Sequence, residues 1–162
     1  TPPEDDPRAL KKRIAELEGA TSEEANDACV AGRLHDSGRL LLASSFQHKH
    51  AEMLARVQMD DAELIEAERS MLGASHDEVG GMLLQNWNLP TRLVEAVAYH
   101  HRPSESGCGT FTPLTPVHVA EHFHAQYIGG DVENDVPLDM DYLDEVGVVD
   151  EIDAWRARCD IE

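Results

Sequence analysis

A histidine and an aspartate stand side by side at His35-Asp36, inside the apolar stretch 25–42, ANDACVAGRLHDSGRLLL. An imidazole and a carboxylate are costly to bury unless each finds a partner. Histidines that could serve fall on other segments, at His76 and at the tandem pair His100-His101. A carboxylate such as Asp36 can bridge two cations while imidazoles complete their shells, as in two-metal hydrolases. His76 falls in the first turn of its expected helix, where the positive dipole end disfavours imidazolium. That keeps the ring in the neutral form a metal requires. The same residues read equally as a buried hydrogen-bonded network that fixes how helices pack. Spacing alone tilts toward the network, because it does not bring these segments together.

The remaining chemistry-bearing residues say less. His118 and His122 lie four apart, a spacing that can grip one zinc ion, but no HExxH pattern accompanies them, and a solvated face is the expectation. His48 and His50 flank Lys49 and receive no role. Gly107-Cys108-Gly109 is too short and isolated for a phosphate cradle. With no GxSxG elbow and no Cys-His spacing, nucleophilic catalysis is unsupported.

The elements that must position these residues are helical throughout. A charged segment over 8–18 places Leu10, Ile14 and Leu17 on one face and stops at Gly19. Thr21 with Glu24 reads as a capping box for the buried helix that carries His35-Asp36. A helix over 47–57 turns Met53, Leu54 and Val57 inward. Asp60 with Glu63 caps another, in which Leu64, Ile65, Met71 and Leu72 share a side before Gly73. Ser75 with Glu78 opens a helix with Val79, Met82, Leu83 and Trp87 at core spacing.

Pro90 starts the helix of Leu93, Val94 and Val97, closing on Tyr99-His100-His101. After a loop over 104–113, Thr115 as N-cap and Pro116 at the first position open the helix with His118, Glu121, His122 and His124. A loop through Gly129-Gly130 leads to short helices near 142–146 and 152–158. No stretch alternates with period two for long enough to be a strand. The expected class is an all-α bundle in a single domain spanning 1–162.

Composition bounds the partners. The formal net charge is -19, from 32 acidic and 13 basic residues. Nucleic acid and anionic membrane surfaces need clustered Lys and Arg, so neither is expected. Cys29, Cys108 and Cys159 match no disulfide framework and no CxxC pattern, which points to a reducing cytoplasm. No apolar run approaches the ~20 residues of a membrane span, and TPPEDDP is unlike a signal peptide.

Four motifs, in order, resemble the HDOD domains, regulatory relatives of the HD and HD-GYP metal-dependent phosphohydrolases. They are VAGRLHDSGRLLL at 30–42, ERSMLGASHDEVGGMLLQNW at 68–87, NLPTRLVEAVAYHHRP at 88–103 and VHVAEHF at 117–123. The resemblance implies an HD-like multi-helix bundle, the carboxy-terminal part of a larger bacterial signalling protein with its upstream helices truncated or absent. Carried over residue by residue, the HD-type metal positions are His35, Asp36, His76, His100 or His101, with Glu121 where active relatives place a final Asp. The ion would be Mn, Fe, Mg or Zn, and Arg39 would meet a phosphate oxygen.

Two departures weigh on the chemistry. The active families supply another His from an upstream helix, and TPPEDDPRALKK holds none. The loop RPSESGCGTFTP lacks the GYP signature of the cyclic-dinucleotide phosphodiesterases. The expectation is therefore a non-catalytic signalling output domain working through protein contacts, including a receiver or sensory domain in the same chain. The rivals are a metal-dependent phosphohydrolase and a nucleotide-binding sensor.

Overall fold

A computed structural model of the chain describes residues 7–55, 61–129 and 137–158. Ten α-helices are described: α1 Pro7–Leu17, α2 Ser22–Leu34, α3 Ser37–Ser45, α4 Gln47–Leu54, α5 Asp61–Leu72, α6 His76–Asn86, α7 Thr91–Ala98, α8 Leu114–Gly129, α9 Met140–Val146 and α10 Ile152–Arg158. Single 3-10 turns lie at Pro103–Ser106 and Val149–Glu151. There is no strand among the described residues, so the fold is an all-α multi-helix bundle.

Local chemistry sets the boundaries. Gly19 at φ 71 ends α1, a left-handed position where glycine avoids the Cβ penalty. Both expected capping boxes form, Thr21 with Glu24 and Ser75 with Glu78, so the starts of α2 and α6 have their exposed amides satisfied. Thr115 is not an N-cap. Helix α8 already begins at Leu114, and the Thr115 hydroxyl shares a 2.7 Å hydrogen bond with the Tyr142 hydroxyl. The expected cap at Asp60 and the inward Val57 lie outside the described residues, and the side chains of Leu10 and Leu17 lie outside those described on α1.

The main core gathers Ile14 of α1, Leu93 and Ala96 of α7, Val117 and Phe123 of α8, and Tyr142, Leu143 and Trp155 from the carboxy-terminal helices. Trp155 also donates its indole N–H to Glu18 at 2.9 Å, tying α10 back to the end of α1. Helix α1 packs on α2 and α8, while α6 lies between α3 and α7.

Glycine contacts decide which face of α6 turns inward. A Cβ on Gly80 would sit 2.9 Å from Val97, and one on Gly81 would sit 2.7 Å from the Ala98 Cβ. Because the helices approach at Gly80 and Gly81 and Leu84 is buried on that side, Met82 and Trp87 are turned outward rather than into the core, 60% and 56% exposed. The same logic exposes Leu40, since α3 packs through Gly38 and Leu42. On α4 only Met53 is buried, and Leu54 faces out. Met82, Trp87 and Leu54 correct the expectation that they turn inward, and at Met82 and Trp87 that expectation counted apolar residues and overlooked glycine as a packing surface.

Candidate metal centre

His35 and Asp36 do not sit inside one long buried helix. Helix α2 stops at Leu34 and α3 starts at Ser37, so the pair occupies the turn between them. That junction aims both side chains at α6, α7 and α8 instead of along a helix face. His35 Nδ1 lies 2.8 Å from the Gly32 carbonyl oxygen, one turn back on α2. Its Nε2 lies 3.1 Å from Glu121 Oε1 and 3.4 Å from Asp36 Oδ2. Both ring nitrogens of His35 therefore face acceptors.

His76 is the first residue of α6 and is fully buried. Glu68 of α5 accepts from both its backbone N–H and its Nδ1, each at 2.7 Å. Held from behind, the ring turns Nε2 toward Asp36 Oδ1 at 3.6 Å and His101 Nε2 at 3.0 Å. His100 and His101 follow the last turn of α7. His100 Nδ1 lies 2.8 Å from the Val97 carbonyl oxygen, and its buried Nε2 has no hydrogen-bond partner. Burial, with the neighbouring imidazoles of His101, His35 and His76, pushes His100 well below its ordinary pKa. Burial and His76 lower His101 to about 3. Both rings are neutral donors at physiological pH.

The third contribution has no counterpart among the histidines. Lys11 of α1 is 2% exposed, and its Nζ forms an ion pair with Glu121 Oε1. The same Nζ lies 3.4 Å from His35 Nδ1. Burial by itself would raise the Glu121 carboxyl, but the His35 hydrogen bond and the Lys11 ammonium hold it well below the usual carboxylate range. The stem of Lys11 crosses Gly32, where a Cβ would overlap the Lys11 Cδ. Glycine at position 32 makes the room through which the ammonium reaches the centre.

The structure thus brings His35, Asp36, His76, His100, His101 and Glu121 around one centre. Arg39 lies at its edge with Nε 3.1 Å from Asp36 Oδ1. His118 and His122 do not form a solvated face. They are 1% and 8% exposed. His118 Nδ1 lies 2.8 Å from the His100 carbonyl oxygen, and its Nε2 accepts the Asp139 N–H at 2.9 Å. With both nitrogens engaged by the backbone, His118 supports the tandem-histidine turn and offers no metal donor. Sequence reasoning missed Lys11 and the part played by Glu68. Lys11 left one faint signal, a position three residues before Ile14 on the apolar side of α1.

One side of the centre fits a divalent ion. His76, His100 and His101 each offer one ring nitrogen, all within 4.8 Å of one another. Two features argue for the fit. His76 and His101 turn Nε2 atoms toward each other at 3.0 Å, a separation that calls for a proton or cation between them, and His100 Nε2 is buried without a partner. Glu68 behind His76 is the outer carboxylate that orients metal-ligating imidazoles. On the other side His35, Asp36 and His100 form a second group whose ligand atoms lie within 4.8 Å of one another, but there Lys11 already places a positive charge on the adjoining Glu121.

An all-α bundle that gathers a His-Asp turn, a helix-initial His and a tandem His-His around one centre defines an HD-type protein. Within that class the chain belongs to the HDOD family, whose domain profile matches residues 9–103. The match ends at Pro103, so Glu121 and the carboxy-terminal helices lie beyond it. The chain is also 30% identical over 96 residues to an uncharacterized protein of Treponema pallidum (strain Nichols). That alignment covers 52% of this chain and 17% of the relative, so the chain spans a small part of the relative's length. No solved structure matches significantly. No described helix is long and apolar enough to cross a membrane.

Proposed function

We propose that this chain is a regulatory HDOD domain that relays a signal through protein contacts and does not hydrolyse phosphoesters. The observation that carries the reading is the Lys11–Glu121 ion pair. Phosphoester hydrolysis of the HD type relies on two cations that clamp the phosphoryl group and acidify a bridging water. Here the acid at the Asp-equivalent position is already paired within the chain, and His35 is hydrogen-bonded to it. The centre then works as a packing hub that joins α1, α2, α5, α6, α7 and α8. Exposed Leu40, Phe46, Met82 and Trp87 supply apolar side chains of the kind protein partners, or a receiver or sensory domain in the same chain, would cover.

The test is turnover. The protein is supplied with Mn, Fe, Mg or Zn and assayed against nucleotides and cyclic dinucleotides. No turnover above a heat-treated control is expected. Metal-dependent turnover abolished by Asp36→Ala would overturn the reading.

A second reading, a metal-dependent phosphohydrolase, is favoured by His76, His100 and His101. These residues would hold one ion, which when bound supplies Lewis-acid polarisation of a phosphoryl oxygen. In that reading Arg39, beside Asp36 at the edge of the centre, would meet a phosphate oxygen. The same assay separates the two.

A further inference from the structure

We propose that Lys11 is a built-in cation whose removal opens a second divalent-ion site on His35, Asp36 and Glu121. The inference rests on the regulatory reading and gives its chemical cause. Three observations carry it. The Lys11 ammonium is buried, and its ion-pair partner Glu121 Oε1 is the atom that lies 3.1 Å from His35 Nε2. His35 Nε2 also lies 3.4 Å from Asp36 Oδ2, so one imidazole nitrogen faces two carboxylates. Such a nitrogen with two oxygen donors is a ligand set for Mn²⁺ or Zn²⁺, with a charge that asks for a cation. The chain meets that demand with an ammonium on a flexible stem, led in over Gly32. An ammonium offers one charge and no open coordination position, so it neutralises Glu121 without being able to activate water.

The proposal makes Lys11 and a divalent ion alternatives. Lys11→His removes the fixed charge and adds a donor. After chelator treatment and reloading with Mn²⁺ or Zn²⁺ alone, it should retain one more equivalent of metal than the unaltered chain. Its melting temperature should rise by roughly 5–10 °C more than that of the unaltered chain under saturating metal. The double variant Lys11→His/Glu121→Gln should lose that additional equivalent.

Gly32→Ala gives a route that keeps every charge and ligand. Its Cβ displaces the Lys11 stem, and it should gain the same equivalent even if Lys11→His folds poorly without metal. Two results would overturn the proposal. In one, neither variant retains more metal than the unaltered chain. In the other, Glu121→Gln removes an equivalent from a chain whose Lys11 is intact. Turnover by the unaltered chain would instead remove the regulatory reading and leave the metal count as evidence on Lys11.

Discussion

The two sides of the histidine centre hold similar side chains and handle charge in opposite ways. On one side a fixed positive charge from α1, Lys11, meets a carboxylate from α8, Glu121, with His35 between acceptors. On the other, His76, His100 and His101 bring no fixed charge, and burial keeps the last two neutral. Asp36 stands between them, 3.4 Å from His35 and 3.6 Å from His76. A cluster of ligand-type residues is therefore not one site by virtue of its composition. What each half can do depends on whether the chain itself supplies the cation.

On that contrast, the charged side is the more fragile under substitution. Lys11→Met leaves Glu121, its side chain 17% exposed, with its ammonium gone, and breaking a buried pair from one end costs up to about 3–5 kcal/mol. Urea denaturation with chelator present should show a loss of about that size. Lys11→Met/Glu121→Gln should recover most of it, because no lone buried charge remains. A single variant as stable as the unaltered chain would erase the difference between the two sides.

The next largest effect tests the contact that holds the sides together. Helix α3 meets α6 at Gly38, where an added Cβ would overlap the His76 carbonyl oxygen and lie 2.8 Å from the Gly80 nitrogen. Both obstacles are backbone, which cannot rotate aside. Gly38→Ala should cost about 2–3 kcal/mol by the same denaturation measurement. It should also weaken metal retention by His76, His100 and His101, since α6 must shift. Retention unchanged at full destabilisation would show that the imidazole side is independent of the α3 crossing.

Much of this arrangement was legible in the sequence, and the failures have physical causes. Capping boxes at Thr21 and Ser75 and stops at Gly19 and Gly73 are local chemistry, and they placed helix boundaries well. The six residues of the centre came from motif order, which encodes convergence that spacing cannot. Met82 and Trp87 were misread because apolar character marks a side chain able to be buried, whereas close approach at Gly80 and Gly81 decided which face was. His118 was misread because a histidine bonded only to backbone carbonyl and amide leaves no partner pattern in the sequence. Lys11 escaped for the converse reason. Lysines are almost never fully buried unless paired, and its partner Glu121 is 110 residues away.

The last prediction separates the two sides along the pH axis. His101 is held neutral in the folded chain, with its pKa lowered from 6.5 to about 3. Below pH 6.5 the unfolded chain takes up a proton there that the folded chain refuses, so acid favours unfolding. The penalty is absent above 6.5 and grows as pH falls toward 3, by up to about 1.4 kcal/mol per pH unit for one group. His100 shifts in the same direction.

Glu121 follows the depressed-carboxylate rule. Its contribution is present above its ordinary value of 4.5 and is lost only as pH falls below that. Between pH 6.5 and 4.5 acid should therefore weaken the imidazole side while the Lys11–Glu121 pair still holds. His101→Gln, measured with chelator present, should flatten the stability profile in that window, and Glu121→Gln should leave its slope alone. A slope in that window that follows Glu121 instead of His101 would mean that the two sides titrate as one unit, and the division drawn between them would fail.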